Sequence, residues 1–486
     1  MNLVVVSNRV ARGKAHEPMT GGLAAALLPV VEKSGAIWVG SSGRVSDRAH
    51  KEPFAEIEAL GAGALALLDL PAAHYGGYYE GFANSALWPA LHSRSDLIRV
   101  AHGDYLSYRE VNAFMARALL RFQKPDTAFW VQDYHFLALG AELRDLGVTA
   151  PIGFFLHTPW PVRSIIEGVP HHRELIEAML AYDLIGFQTK DDSENFQSYV
   201  RENLGLTIRG DVVTSRKGGT RLAVFPIGID AEKFARYAAK SMTHPDVSRL
   251  RRSLHGEKLA IGVDRLDYSK GLINRIHAFD RMWTAQPALA RTVSLLQIAT
   301  PSRGAIEAYG NLQDEVARLV SDVNGRHGEV DWTPIRYLNK GFSQAVLAGL
   351  YRTAQVGVVT PLHDGMTLVA KEYVAAQNPV DPGVLVLSKF AGAANELDPA
   401  LLVNPHDIDG MAKTIALALS MPLTERRMRY EAMMDKLQTH TIQQWSSDFI
   451  DALRDGQTGK PVAEPIIADE SSLWPRHAVQ SSARYH

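Results

Sequence analysis

Short apolar runs alternate with stretches of helical periodicity along most of the chain. In the first half, apolar and β-branched runs predict strands at residues 3–7, 37–40, 128–132, 152–156, 184–187 and 222–226. Helical spacing of apolar residues lies between these runs, for example at 22–33, 110–121 and 174–181. Continuously apolar strands that alternate with helices are typical of parallel sheets covered by helices on both faces.

A second alternating set follows a charged helical stretch that begins after Ile229 and Asp230. It predicts strands at residues 259–263, 293–298, 355–360, 384–387 and 401–403. We therefore predict an α/β protein with two doubly wound domains and a cleft between them. In such sheets ligands bind at the carboxyl ends of the strands, so the loops after the strands are the places to look for chemistry.

Composition and motif content exclude several classes of protein. The 486 residues include 51 Lys plus Arg against 53 Asp plus Glu, so no net field favours nucleic acid or an anionic membrane. Cysteine is absent, which removes disulfides, thiolate metal sites and cysteine nucleophiles and fits a reducing compartment. The sequence also lacks a P-loop, G-x-G-x-x-G, H-E-x-x-H and G-x-S-x-G, so kinase, dehydrogenase, zincin and α/β-hydrolase interpretations lose their main support.

The N-terminus, MNLVVVSNRV, has neither a basic region nor a long apolar region, so it does not resemble a signal peptide. No apolar run approaches the roughly 20 residues that a membrane helix needs. We expect a soluble, cytoplasmic protein. The segment 456–486, with its Gly, Pro, Ser and Glu content, predicts a weakly ordered tail.

The segment PLHDGMTLVAKEYVAAQ, residues 361–377, is the most informative part of the chain. It follows an apolar run and contains a loop with Asp364 and Gly365 before a stretch of helical spacing. A helix that opens after such a loop presents free backbone N–H groups and a positive dipole end to an anion. Lys371 and Glu372 can face the same ligand. The pattern predicts a site for a nucleotide diphosphate.

Cations follow two strands of the second set. Arg265 and Lys270 suit a pyrophosphate, which a guanidinium binds bidentately and an ammonium binds as a point charge. The alternative is a surface salt-bridge cluster in which Asp264 and Asp267 neutralise them. Arg303 follows the next strand and is either a clamp for a second anion or a solvated loop arginine. Spacing alone leaves both pairs of alternatives open.

In the first set, Asn8 and Arg9 follow the first strand, and Gly21 and Gly22 open the next helix. These residues predict either a phosphate or sugar site or a surface arginine beside a flexible turn.

Asp133, Tyr134 and His135 follow one further strand, and His157 follows another. A single such group is usually a structural hydrogen-bond partner, but four of them at one sheet edge are costly to bury without a polar ligand.

Two further groups have a functional and a structural interpretation. Tyr78, Tyr79 and Trp88 can stack on a sugar ring, although most aromatic pairs belong to the core. Asp407 and Asp409 resemble a metal-binding carboxylate pair, but their place before a helical stretch favours an N-cap.

A series of motifs, in this order, resembles the trehalose-6-phosphate synthases, a family of retaining glycosyltransferases. The series covers residues 3 to about 450 and consists of VVVSNRV, TGGL, YYEGFANSALWPALH, VQDYHFL, IGFFLHTPWP, IGFQT, FPIGID, DRLDYSKGL, PSRG, HDGMTLVAKEYVAAQ and FAGAANEL. The resemblance implies the GT-B fold, with two Rossmann-like domains that face a cleft. The acceptor domain would cover 1–235 and the nucleotide-sugar domain 236–455, with the last helix packed back on the first domain.

The resemblance also implies the reaction and the residues that take part in it. Glucose would pass from UDP-glucose to glucose 6-phosphate with retention, which yields α,α-trehalose 6-phosphate and UDP. The motif match assigns acceptor binding to Arg9, Tyr79, Trp88, Asp133 and Arg303. It assigns donor binding to Gly21, Gly22, Arg265, Lys270, Phe342, Leu368, Val369, Ala370, Lys371 and Glu372. The catalytic set would be Arg265, Lys270, Asp133, His157 and Asp364, of which His157 and Asp364 would contact the transferred glucose.

No cofactor or metal is implied, because Lys270 and Arg265 would neutralise the leaving pyrophosphate as a divalent ion does in other glycosyltransferases. The expected partners are the two substrates, without nucleic acid or membrane. A homo-oligomer, either a dimer or a tetramer, is a further expectation. The sequence departs from the family pattern at Ser41, His363 and Thr367.

Two alternatives remain open at this point. One is a sister activity that uses ADP-glucose and glycerol 3-phosphate, against which Trp88 and Tyr79 favour a sugar ring as acceptor. The other is a GT-B epimerase or a catalytically silent sugar-phosphate sensor, against which the intact set Arg265, Lys270 and Glu372 argues.

Overall fold

A computed structural model describes residues 2–11, 22–51, 53–216 and 218–458. Gly21 and residues 459–486 of the predicted tail lie outside the described residues, whereas residues 456–458 belong to the last helix. The described strands form two sheets, one of ten strands and one of six.

The first sheet has the strand order β3-β4-β2-β1-β5-β6-β7-β10-β9-β8. Its strands are β1 (Asn2–Arg9), β2 (Ile37–Ser46), β3 (Phe54–Leu60), β4 (Gly63–Pro71), β5 (Thr127–Gln132), β6 (Ile152–Phe155), β7 (Leu184–Phe187), β8 (Ile208–Arg209), β9 (Val212–Ser215) and β10 (Gly218–Val224). Pairing is parallel from β4 to β10 along this order and antiparallel at the two edges. The chain builds outward from β1 in one direction and then restarts at β5 on the other side, so the strand order reverses between β1 and β5.

The second sheet has the order β13-β12-β11-β14-β15-β16, and all its pairs are parallel. Its strands are β11 (Lys258–Arg265), β12 (Val293–Thr300), β13 (Ile335–Leu338), β14 (Val356–Val359), β15 (Val384–Ser388) and β16 (Leu401–Val403). The strand order reverses between β11 and β14. Ligand sites of doubly wound sheets lie at such points of reversal.

Helices cover both sheets. They are α1 (Gly22–Ser34), α2 (Ala72–Tyr75), α3 (Trp88–Leu91), α4 (Asp104–Leu119), α5 (Leu139–Asp145), α6 (Arg163–Ile166), α7 (His172–Met179), α8 (Lys190–Asn203), α9 (Ala231–Ser241), α10 (Pro245–Ser253), α11 (Leu272–Ala285), α12 (Glu307–His327), α13 (Gln344–Thr353), α14 (Leu368–Ala376), α15 (Ile408–Ser420), α16 (Leu423–Thr439) and α17 (Ile442–Thr458). A π-helical segment, Gly76–Leu87, joins α2 to α3. Short 3₁₀ turns lie at Ser95–Leu97, Leu120–Phe122, Tyr134–Phe136, Tyr268–Lys270, Pro287–Leu289 and Gly392–Asn395.

The prediction of an α/β fold with two largely parallel sheets is confirmed, and each predicted strand corresponds to an observed one. The pattern missed β3, β4, β8, β9 and β13. The strand β3 reads FAEIEAL and lies at a sheet edge, so it lacks the continuous apolar run that signals a buried strand. The strands β8, β9 and β13 are only two to four residues long. Asp407 caps α15 by accepting a hydrogen bond from Gly410 N, so the N-cap interpretation is confirmed.

The chain crosses between the two sheets twice, and the crossings lie side by side. Ile229, on the way out, forms a parallel bridge with Thr441, on the way back. The returning helix α17 then packs Phe449 against the first sheet, with ring centroids 5.1 Å from Trp130 and 5.9 Å from Phe155. Among the described residues, no helix is both long enough and apolar enough to cross a bilayer.

Candidate active site

The loops that follow the strands at the two points of reversal face each other across the interface between the sheets. The Arg303 guanidinium, after β12, donates to the hydroxyl of Tyr134, after β5, at 3.0 Å. The Trp88 indole on α3 donates to Asp267, after β11, at 3.4 Å. Residues carried by the two sheets therefore contact each other in one contiguous region.

Lys270 and Asp364 come from the two strands that flank the second point of reversal, and they form an ion pair. Lys270 Nζ lies 2.6 Å from Asp364 Oδ2, and both side chains are almost fully buried. Thr367 Oγ1 donates to the same oxygen at 2.5 Å, and Gly365 N donates to Oδ1 at 3.1 Å. Burial acts to raise the pKa of Asp364, but Lys270 outweighs it and lowers that pKa to about 2. Asp364 is therefore ionised at neutral pH.

Asp267 lies between the two arginines that the sequence singles out. Its buried carboxylate is 3.1 Å from Arg303 Nη1 and 3.7 Å from Arg265 Nη2. The surface-cluster alternative is wrong in two respects. Asp267 is fully buried rather than solvated, and Asp264 pairs with Arg275 at 2.5 Å instead of with Arg265 or Lys270. Burial acts to raise the pKa of Asp267, but the charges of Arg303 and Arg265 hold it well below its usual range.

Arg303 is not a solvated loop arginine, because only 6% of its side chain is exposed. Its guanidinium lies over the Trp88 ring at 3.9 Å, and its Nη1 also donates to the Tyr309 hydroxyl at 2.6 Å. Its Nε has no hydrogen-bond partner within the part of the chain that the structure describes. A buried N–H that lacks a partner is costly, so Nε is the donor left for a ligand.

Asp133 and His157 follow neighbouring strands of the first sheet and contact each other. The His157 backbone N–H donates to Asp133 Oδ1 at 3.2 Å, and Asp133 has a φ of 72°, which L residues rarely adopt. Burial raises the pKa of Asp133 to about 6 and lowers the pKa of His157 to about 3. His157 is therefore neutral. A Cβ on Gly365 would lie 2.0 Å from the His157 carbonyl oxygen, so only glycine allows the loop that carries Asp364 to approach His157 this closely.

The two adjacent tyrosines have different environments. Tyr78 is fully buried and donates its hydroxyl to Asn8 at 2.8 Å, so it belongs to the core. Tyr79 is half-buried and stacks on His135, with ring centroids 5.9 Å apart. Both ring nitrogens of His135 are buried without a partner among the described residues. The aromatic wall formed by Tyr79 and His135 can therefore make further polar contacts.

Arg9 is exposed, and its guanidinium packs close to Gly43 on β2, where an added Cβ would come within 2.8 Å of Nη2. Its charge lowers the pKa of Tyr75, which burial raises, and Tyr75 stacks on Tyr79 at 5.5 Å. Arg9 therefore lies near the aromatic wall that leads to Arg303. That both arginines hold one phosphate stays a prediction.

Helix α14 begins in the loop that carries Asp364. Thr367, at its N-cap, has a φ of 66° and no side chain caps the helix, so its first backbone N–H groups are not taken by a cap. Leu368 and Val369 are half-buried at this end, and Ala370 is buried behind them. Phe342 is half-buried in the loop before α13. This end of α14 has the features that the sequence predicts for an anion site.

Glu372 and Lys371 do not share a ligand, so that prediction is wrong. Lys371 is fully buried, and its ammonium donates to the Ile227 carbonyl at 2.7 Å and to Glu396 at 2.8 Å. Adjacent residues of a helix point about 100° apart, so the two side chains leave α14 in different directions. Glu372 is half-buried, and burial raises its pKa to about 7. Of these two residues, Glu372 is the one whose side chain is still accessible to a ligand.

The three departures from the family pattern have structural partners. His363 Nδ1 and Ser93 Oγ are 3.0 Å apart and join the two halves of the molecule. Thr367 supports Asp364, as described above, and Ser41 is buried and accepts from Gly43 N at 3.0 Å. Sequence reasoning missed Tyr309, which orients Arg303, because a tyrosine in the first turn of α12 carries no local signal of function.

Comparisons with known proteins agree with this geometry. The model of glycosyltransferase family 20 matches residues 2–455. A trehalose-6-phosphate synthase of Sinorhizobium fredii is 46% identical over 93% of this chain and 98% of its own length.

Two solved structures with the GT-B architecture are also similar. The trehalose-phosphate synthase of Burkholderia xenovorans, in complex with glucose 6-phosphate, has a TM-score of 0.90 and 42% identity over 93% of this chain and 100% of that one. The protein of Escherichia coli bound with UDP-2-fluoro glucose has a TM-score of 0.88 and 39% identity over 93% of this chain and 99% of that one.

Proposed function

The chain belongs to glycosyltransferase family 20, and from that membership we infer that it transfers glucose from UDP-glucose to glucose 6-phosphate. The reaction retains the configuration of the anomeric carbon and yields α,α-trehalose 6-phosphate and UDP. The observation that carries the proposal is the pair of buried cation sites, Lys270 with Asp364 and Arg303 with Asp267, at the end of the second sheet that faces the first sheet. One site suits a departing diphosphate, and the other suits a phosphorylated acceptor.

The donor half is formed by the second sheet. Lys270 and Arg265 bind the pyrophosphate, the N–H groups at the start of α14 contact the phosphates, and Glu372 accepts from the ribose hydroxyls. Phe342 lies by the uracil, and His157 and Asp364 contact the transferred glucose. The ion pair of Lys270 with Asp364 supports this arrangement because it keeps the ammonium in place before the donor arrives.

The acceptor half is formed mainly by the first sheet. Arg9, Tyr79 and Arg303 hold the acceptor phosphate, Asp133 hydrogen-bonds the acceptor sugar, and Trp88 shapes the pocket. The free Nε of Arg303 and the orphaned ring nitrogens of His135 support a polar ligand at this wall.

Transfer then proceeds by attack on the same face from which UDP departs, through an oxocarbenium-like state. The leaving phosphate accepts the proton of the acceptor hydroxyl, so no protein nucleophile is needed. Lys270 and Arg265 stabilise the charge that develops on the diphosphate, and closure of the two halves aligns the reacting atoms.

The proposal includes catalysis without an essential metal. Within the described ranges, no group of three or more His, Cys, Asp or Glu side chains could hold a metal ion, and two cations already serve the pyrophosphate. A cytoplasmic location and a dimeric or tetrameric state also stay predictions. The absence of cysteine from the sequence supports the first of these.

The direct test is to incubate the protein with UDP-glucose and glucose 6-phosphate and to measure UDP release and the anomeric configuration of the product by NMR. We expect α,α-trehalose 6-phosphate. Release of ADP from ADP-glucose with glycerol 3-phosphate, and no turnover with glucose 6-phosphate, would assign the sister activity instead. Tight binding of glucose 6-phosphate without turnover of any donor would assign a sensor.

A further inference from the structure

Asp267 touches both predicted half-sites, although the motif match gives it no role. Its Oδ2 atom is 3.1 Å from Arg303 Nη1 and 3.7 Å from Arg265 Nη2, so one carboxylate serves the acceptor arginine and the donor arginine together. The Tyr309 hydroxyl donates to the same oxygen at 3.3 Å. These three partners come from the end of β11, from the loop after β12 and from α12.

The other carboxylate oxygen of Asp267 orders the loop that carries Lys270. Ser269 donates to Oδ1 through its backbone N–H at 3.1 Å and through its hydroxyl at 3.0 Å, which caps the 3₁₀ turn Tyr268–Lys270. The Trp88 indole of the first domain reaches the same oxygen at 3.4 Å. Asp267 thus contacts Ser269 in the loop that carries Lys270, Arg303 of the acceptor half and Trp88 of the opposite domain.

The bonds to Asp267 leave one edge of Arg303 free. Nη1 is held by Asp267 and Tyr309, and Nη2 is held by Tyr134, whereas Nε is buried and unpartnered among the described residues. A planar guanidinium that is fixed at its far end presents its remaining N–H in one direction. The direction of that N–H therefore depends on Asp267.

We propose that Asp267 is a positioning residue that orients Arg303 toward the acceptor phosphate and links this site to the pyrophosphate site through Arg265. The inference rests on the proposed function. It explains why an anionic side chain lies, fully buried, where two anionic ligands must bind. Each ligand binds one of the two arginines that share this carboxylate, so binding of one ligand changes the electrostatic environment of the other.

The variant Asp267→Asn tests this. An asparagine can keep its carbonyl toward Ser269 N, but it places an amide N–H₂ against the two arginines. We expect the preference for glucose 6-phosphate over glucose, as the ratio of the two kcat/KM values, to fall by about tenfold or more. Saturating UDP should also change the Kd of glucose 6-phosphate by a factor closer to one than in the wild type, as measured by calorimetry.

Asp264→Asn is the matched control, because Asp264, near the end of β11, is also a buried aspartate paired with an arginine. That arginine is Arg275 of α11, and among the described residues Asp264 forms no ion pair with another group. Asp264→Asn should lower the Tm and leave the acceptor preference unchanged. An equal loss on both acceptors in the two variants would mean that Asp267 only stabilises the fold and would overturn the proposal. So would a UDP effect on glucose 6-phosphate binding that is the same in Asp267→Asn as in the wild type.

A milder variant keeps the test valid if Asp267→Asn does not fold. Tyr309→Phe removes one bond to Asp267 and one to Arg303 but leaves the carboxylate. It should reduce the acceptor preference less than Asp267→Asn does, and an unchanged preference would count against the proposal. If the wild type releases no UDP from UDP-glucose, the proposed function fails by itself. The binding measurements with UDP and glucose 6-phosphate still decide the role of Asp267.

Discussion

Lys270 and Lys371 are both ion-paired lysines of the second domain, with Nζ–carboxylate distances of 2.6 and 2.8 Å. Lys270 has 12% of its side chain exposed and lies where the two halves face each other, whereas Lys371 is fully enclosed. Lys371 holds Ile227, on the outgoing crossing between the sheets, and its partner Glu396 also bonds to His440, beside the returning crossing. A lysine–carboxylate pair therefore lies at the proposed ligand site in one place and at the junction between the two sheets in the other.

The environments explain the difference. Among the described residues the Lys270 ammonium has one hydrogen-bond partner, which leaves donor capacity for a diphosphate. Lys270 precedes α11 on a loop that Asp267 orders. Lys371 has a carboxylate and a carbonyl as partners, and burial lowers its pKa below the usual value. An ion pair becomes a functional site only when its geometry leaves a donor and a path for the ligand.

The largest effect expected from this comparison is on stability. Lys371→Met leaves Glu396 buried without the lysine ammonium and removes the hydrogen bond to the Ile227 carbonyl. The substitution should therefore lower the unfolding free energy by about 3–5 kcal/mol. Urea denaturation measures this. The matched variant Lys270→Met should cost less, because its partner Asp364 keeps Thr367 and Gly365 as donors. Equal losses would contradict the structural role of Lys371.

Lys270→Ala should have its main effect on kcat. The ammonium acts as the diphosphate departs, and loss of one such donor raises the barrier by about 3–4 kcal/mol. Steady-state kinetics with UDP-glucose and glucose 6-phosphate measure the change, with binding of glucose 6-phosphate as the control. An unchanged kcat with only a higher acceptor KM would show that the role of Lys270 is assigned wrongly.

Arginine variants extend the comparison to the acceptor phosphate. Arg9→Ala and Arg303→Ala should each reduce the preference for glucose 6-phosphate over glucose, by about 1.5–3 kcal/mol in kcat/KM. Glucose without its phosphate should also lose kcat, because the phosphate supplies binding energy that closes the cleft. We expect Arg303, which is buried, to have the larger effect than Arg9, which is exposed. If neither variant moves the ratio, the phosphate binds elsewhere.

Acid should weaken the Lys270 pair. The pKa of Asp364 is about 2 in the folded protein, below the value near ~3.9 of an unfolded aspartate. The resulting stabilisation is present above about pH 4 and is lost as the pH falls through the folded value. The difference in unfolding free energy between wild type and Lys270→Ala, up to about 2 kcal/mol, should therefore shrink between about pH 5 and about pH 3. A constant difference over this range would mean that Asp364 does not depend on Lys270.

The smallest expected effect is that of metal removal. In the proposed mechanism Lys270 and Arg265 neutralise the pyrophosphate, so activity should survive EDTA. Modest stimulation by magnesium, through its binding to free UDP, is compatible with this expectation. Complete loss on chelation, restored by one specific metal, would contradict the proposal of metal-free catalysis.

Much of the fold follows from local sequence. The strands β5, β6 and β7 are buried at every position because both of their faces are covered, and the mainly apolar runs that result are visible without a structure. The cations after β11 and the uncapped start of α14 were also predictable, since they depend on residues adjacent along the chain. The edge strand β3 escaped prediction because a strand at an edge does not need an apolar pattern.

The sequence by itself determined the βα alternation, the division into two sheets and the loops in which the chemistry lies, because those properties depend on neighbours within one or two turns of chain. Tertiary structure alone decided which partners the charged groups contact. Arg303 and Tyr134 are 169 residues apart, Trp88 and Asp267 are 179 apart, and Lys371 and Ile227 are 144 apart. Periodicity indicates that a side chain is buried, but the direction in which it leaves its helix and the group that it meets there depend on how two separate sheets pack. For that reason the sequence could suggest Lys371 as a ligand-binding residue, whereas the fold buries it against Ile227 and Glu396. The sequence could place Asp267 beside the cations, but only the fold brings Arg303 to the same carboxylate.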